Sequence, residues 1–132
     1  MKKKRIMVIV VIAVILAAVL TTFLFVVVIP ERNNEAIRQM EIHNVDLSKL
    51  ENGIYPGEYA YGHYNYTVEV EIKDQRIANI DVYHGRDSKQ AKAAEGVIDK
   101  IIAEQKIDVD AISGATTTSK AILKAVELAL SK

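Results

Sequence analysis

Apolar residues fall into three regimes along this chain: one unbroken run, then alternation, then helical spacing. The run is IMVIVVIAVILAAVLTTFLFVVVI, Ile6 to Ile29, with no charge, glycine or proline. At about 1.5 Å per residue its helix would be roughly 36 Å long, more than a hydrocarbon core of about 30 Å. Its polar members, Thr21 and Thr22, have hydroxyls able to bond back to the helix backbone. The pattern predicts a transmembrane helix over 6–29, ended or kinked by Pro30. A cleaved signal peptide has a shorter apolar region, about 7–15 residues, and a small-x-small cleavage site. No Ala-x-Ala closes this run, so we read an uncleaved anchor; either reading exports the rest of the chain.

The segment ERNNEAIRQMEIHNVDLSKLENG is polar, and Ile37, Met40 and Leu47 give only a weak helical stripe. We read residues 30–51 as a partly helical stalk. Gly53, Pro56 and Gly57 mark a loop entering the next unit. Then YTVEVEIK alternates: Tyr66, Val68, Val70 and Ile72 against Thr67, Glu69, Glu71 and Lys73, the signature of a half-buried strand. RIANIDVYH repeats the alternation with Ala78, Ile80 and Val82 on one face. Asp74-Gln75 between them predicts a hairpin, with a turn longer than two residues because glutamine is poor where φ is positive.

Ser88 is a plausible N-cap for a helix in which Ala91, Ala94, Ile98, Ile101 and Ile102 share a face, weakened at Gly96. From about Thr118, Ile122, Ala125, Val126 and Ala129 make a second amphipathic helix. Strands, helix, loop, helix predict an α+β domain over 52–132: a small antiparallel sheet with helices packed on one face, preceded by one N-terminal transmembrane helix.

Charge adds topology. Four of the 17 basic residues, Lys2 to Arg5, precede the run, and all 17 acidic residues lie after it. A basic cytoplasmic end over 1–5 places the remainder outside the cytoplasm, single-pass. The part beyond the run holds 13 basic against 17 acidic residues, a net of −4. Such a surface argues against a nucleic-acid partner. With no cysteine there is no disulfide, thiolate metal site or lipidated cysteine. The three histidines lack metal-site spacing, so no metal is expected: His43 reads as solvated, His63 lies in a Gly-Tyr loop and carries no functional reading, and His84 reads as a strand-end residue in solvent.

The remaining chemistry lies in DAISGATTTSKA, Asp110 to Ala121. Gly114 permits backbone that other residues avoid. Thr117, Thr118 or Ser119 would cap the helix behind it. The unpaired N–H groups and dipole at that helix start favour a phosphate. GATTTSK lacks the first glycine and the Gly-Lys pair of a Walker A loop. Taken alone, the hydroxyls read as a helix cap.

Asp110, Ser113, Gly114, Ala115 and Thr116 match the pattern D-x-x-[ST]-G-A-[ST], and the chain resembles the FMN-binding domain family that carries it. That family includes the domain of the small flavin-bearing subunits of sodium-pumping NADH:quinone reductases and Rnf complexes. GIYPGEYAYG, YTVEVEIKDQRIANIDV and SKAILKAVELAL keep the family's order of elements, so the resemblance covers about 52–132. It departs from the family at Asp74-Gln75, where members usually have glycine. The resemblance implies that a separate flavin transferase, using FAD as donor and Mg²⁺, joins FMN to Thr116 by a phosphoester. Thr116 would need the activation that the transferase supplies. Asp110, Ser113, Gly114 and Ala115 would shape and dock the loop. Thr117 would lie beside the bound phosphate.

The resemblance and the anchor together imply an extracytoplasmic electron carrier rather than a stand-alone enzyme, with no catalytic residues of its own. Its partners would be the transferase, membrane lipid and a membrane redox protein. Two other readings stand beside it. One is a flavin-bearing accessory subunit of a larger membrane redox complex, for which Ala13 and Ala17 give one small-xxx-small spacing. The other is a flavin-free binding or structural module. Tyr61 and Tyr64 are candidates to stack on a flavin, whereas Tyr66 reads as an inward strand residue.

Overall fold

The apolar run is helical, as its composition predicts. In a computed structural model of the chain, α1 spans Lys2–Phe23, a π-helical turn comes next at Leu24–Val28, and α2 spans Ile29–Arg38. The structure describes the whole chain except residues 63, 85 and 86, and it describes no side chains for 28–33, 61, 64 and 84. The readings of His84, Tyr61 and Tyr64 therefore lie outside the described residues, as does His63. An 18-residue stretch within Lys2–Val27 has a mean hydropathy of 3.1 and none of it is buried, so this helix is long and apolar enough to cross a membrane. Thr21 and Thr22 donate back to the carbonyls of Ala17 and Ala18 at 2.8–3.0 Å, which removes the cost of a hydroxyl in an apolar span. Pro30 does not end the helix. The wider π turn precedes it, where a missing N–H and a crowded upstream carbonyl have to be accommodated.

Residues 1–36 and 37–132 form two compact units. In the second, three strands pair antiparallel in the order β1 (Gly53–Tyr61), β2 (Tyr64–Lys73), β3 (Arg76–His84). Tyr66, Val68, Val70 and Ile72 of β2 are all buried, as their alternation predicts. On β3 the expected face is wrong by one residue at its start. Glu71 pairs with Asn79 but Ile72 pairs with Ile77, so Ala78 is the extra residue of a bulge. Ile77 and Ile80 point inward and Ala78 is exposed.

The β2–β3 turn has only two residues, Asp74 (φ 52°) and Gln75 (φ 61°), since Lys73 pairs with Arg76. Two positive φ values match the twist of the strands they join. Asn52 Oδ1 accepts the Asp74 N–H at 2.7 Å and holds this turn without glycine.

The predicted helix after β3 is interrupted at Glu95 into α3 (Lys89–Ala94) and α4 (Gly96–Glu104). Ser88 is its N-cap, its Oγ accepting from the Ala91 N–H at 3.1 Å. Ala91, Ala94, Val97 and Ile101 form the buried stripe. Gln105 ends α4 in the left-handed conformation, and its side-chain amide exchanges hydrogen bonds with Ile77, tying the helix to the start of β3. The last helix, α5 (Thr116–Leu130), lies against β1 and β2 with Ile122, Ala125, Val126 and Ala129 fully buried.

Residues 37–51, read as stalk from their polarity, belong to the second compact unit. Ile37 and Ile42 are buried. Three polar contacts fasten this strap along α5. Arg38 Nε donates to Thr117 Oγ1 at 3.2 Å, Lys120 Nζ donates to the Met40 carbonyl at 3.0 Å, and the His43 N–H donates to Glu127 Oε2 at 3.1 Å. Positions 117, 120 and 127 fall on one helix face. Asn44 Oδ1 then accepts the N–H groups of Ile107 and Asp108, linking the strap to the segment that leads into the motif.

Candidate functional site

The motif loop is built by a short closure. The Ala115 N–H donates to the Ile112 carbonyl at 3.0 Å, and the Ile112 N–H donates to Ser119 Oγ at 3.1 Å. Ser119 is fully buried, so this bond is sheltered from water. Gly114 makes the reversal with φ +79°. Behind the loop, Gly96 leaves room for Ile112: a Cβ there would stand 3.2 Å from the Ile112 Cδ1.

This closure corrects the expected cap. The helix starts at Thr116, about two residues earlier than its apolar pattern predicts, because Thr116 to Ser119 all take helical backbone. Its N-cap is Ala115, which makes no side-chain cap bond and is itself buried. Ser119 bonds backwards to the loop, and neither Thr117 nor Thr118 caps the helix. The backbone N–H groups of the first turn therefore have no side-chain acceptor among the described residues.

Thr116 is half-buried at the first position of α5, and its hydroxyl makes no hydrogen bond among the described residues. Thr117 is half-buried and accepts from Arg38. Thr118 is buried, and its hydroxyl too has no partner among the described residues. Ser113 and Gly114 are exposed. Asp110 is exposed, and its carbonyl accepts from Lys100 Nζ at 3.0 Å. The structure thus gathers Ser113 to Thr117 at one end of α5 and leaves the Asp110 side chain open to solvent. No acidic residue lies in the first turn.

Arg38 is the residue at this site that the sequence pattern does not reveal. It stands 79 positions before Thr117 in a segment with only a weak helical stripe, and no local signal marks it. Further along α5, Glu127 is buried against the strap. Burial opposes its ionisation, but the bonds from Lys124 Nζ at 2.7 Å and from the His43 N–H win, and its pKa lies below the ordinary value.

Residues 62–131 match the model of the FMN-binding domain family. A protein of Treponema pallidum (strain Nichols), described only as uncharacterized, is 38% identical over 98 residues. The alignment covers 72% of this chain and 27% of that relative, so the chain spans about a quarter of the relative's length.

Proposed function

The chain belongs to the FMN-binding domain family, and we propose that it is a membrane-anchored, extracytoplasmic flavoprotein with FMN bound covalently to Thr116. The observation that carries this reading is the state of Thr116. It is the last residue of D-A-I-S-G-A-T, half-buried at the start of α5, with a hydroxyl committed to no other group among the described residues. The residues around it fit a phosphate-linked cofactor: a helix start with no side-chain cap, the buried Thr118 hydroxyl with no partner among the described residues, and no acidic side chain in the first turn. Ala115, Thr116 and Thr117 would hold the linkage, Gly114 would set the loop, and Asp110 and Ser113 would face the transferase.

In the attachment step Thr116 Oγ1 bonds to the flavin-side phosphorus of FAD. The pyrophosphate P–O bond breaks, AMP leaves, and the hydroxyl proton passes to a base of the transferase. A phosphoester keeps the cofactor in place at any dilution, which matters outside the cytoplasm, where occupancy by mass action would be lost. Bound flavin supplies reversible electron transfer; the protein supplies position and polarity. The apolar helix 2–27 would hold this carrier beside a redox partner in the membrane, with the basic residues 2–5 on the cytoplasmic side.

The test is to co-express the full chain with a flavin transferase, denature it in SDS, and read flavin fluorescence on the protein band. Intact mass should rise by one FMN less one water. Thr116→Ala should abolish both signals. A dark wild-type band, beside a labelled family member from the same cells, would sink the covalent reading and leave the flavin-free module.

A further inference from the structure

The geometry points to Arg38 as the residue that holds the phosphodiester of a flavin carried on Thr116, an inference that rests on the attachment proposed above. Arg38 ends α2, and its Nε donates to Thr117 Oγ1 at 3.2 Å, one residue from the attachment point. That bond uses one of five donors in a rigid fork. The side chain is exposed, and it forms no ion pair among the described residues. A guanidinium so placed has its charge directed at a neutral hydroxyl, with no carboxylate among the described residues to meet it. A phosphodiester on the neighbouring threonine would supply the anion, and the fork suits two of its oxygens.

The strap makes this placement more than a passing rotamer. Ile37, the preceding residue, is buried, and its carbonyl accepts the Met40 N–H at 3.1 Å. The Met40 carbonyl is held by Lys120, and the His43 N–H by the buried carboxylate of Glu127. The backbone on both sides of Arg38 is therefore held along α5, so the backbone share of the entropy of placing the guanidinium is met before a ligand arrives. Lys120, the next cation along the same face, is already committed to Met40. Arg38 is a positioning residue: it orients the phosphodiester and takes no part in electron transfer.

The experiment uses the full chain in detergent, loaded with flavin by co-expression, as wild type, Arg38→Gln and Arg38→Lys. Two quantities are read: the ³¹P chemical shift of the protein-bound phosphodiester, and the melting temperature of loaded minus unloaded protein. The expected result is that Arg38→Gln moves the ³¹P resonance and reduces the loaded-minus-unloaded difference by roughly 2 °C or more. Arg38→Lys keeps a charge but not the fork, and should fall between. A merely structural role would lower both melting temperatures together and leave the ³¹P shift alone. If Arg38→Gln does not fold, Arg38→Lys and a salt titration of the wild-type ³¹P shift decide: an exposed ion pair weakens with salt. A loaded Arg38→Gln protein with wild-type ³¹P shift and wild-type difference overturns the inference while leaving the attachment intact. A wild type that takes up no flavin removes the attachment and this inference together.

Discussion

Gly57 on β1 faces Ala125 of α5 so closely that a methyl group on Gly57 would run into the Ala125 carbonyl oxygen and stand 2.6 Å from the Ala129 Cβ. Ala121, Ala125 and Ala129, four residues apart, are all buried. Together with Gly57 they let the helix lie against the sheet with backbone near backbone. The sheet–helix spacing fixed here positions α5, whose first residue is Thr116. Gly57→Ala is predicted to destabilise by about 1–3 kcal/mol or more, because the added carbon meets backbone that cannot rotate away. Thermal melting of the full chain in detergent should show a fall of at least several degrees. A Gly57→Ala protein melting with the wild type would show that α5 is not seated as described.

Glu127 predicts an acid-sensitive strap. Its pKa is lowered in the folded state from the ordinary 4.5, since the Lys124 and His43 bonds outweigh the opposing effect of burial. A depressed folded pKa contributes stability that is present in full above the unfolded value and lost as pH falls through the folded value. The strap should therefore hold at neutral pH and begin to weaken below about pH 4.5. Glu127→Gln removes the charge at every pH, so its melting temperature should lie below the wild type at neutral pH and approach it in acid. Amide exchange at His43, whose N–H donates to Glu127, reports the strap directly. A constant difference between the two proteins across this range would refute the linkage.

Much of this fold is legible where burial keeps a period. Tyr66, Val68, Val70 and Ile72 alternate and are buried, and Ile122, Ala125, Val126 and Ala129 share a helical face and are buried. The strap is not legible, because Ile37 and Ile42 share neither period and its ties run from backbone groups, Arg38 and Asn44 to residues 63–84 positions away. Ala78 takes the opposite face from the one its alternation predicts, because a bulge shifts the pattern by one, which no local composition marks. At the site, hydroxyl residues before a helix pattern read as caps. Yet Ser119 bonds back to Ile112, and the helix begins at Thr116. Which hydroxyl is left uncommitted depends on that closure, and closure is a three-dimensional property.

Gly114 separates a conformational requirement from a steric one. Its φ is +79°, yet a Cβ there would meet nothing within 4 Å. The constraint is therefore the left-handed backbone alone, which costs an ordinary L-residue about 1–2 kcal/mol and asparagine less. Gly114→Ala should lower the melting temperature by several degrees, and Gly114→Asn by less, although asparagine is the larger side chain. Flavin loading by the transferase should take the same order, glycine above asparagine above alanine, because a loop forced out of this turn strains the bond between the Ala115 N–H and the Ile112 carbonyl beside Thr116. A steric requirement gives the opposite ranking of the two variants. Measuring stability and SDS-resistant flavin fluorescence on the three proteins distinguishes the alternatives, and asparagine scoring below alanine in both would refute the conformational account.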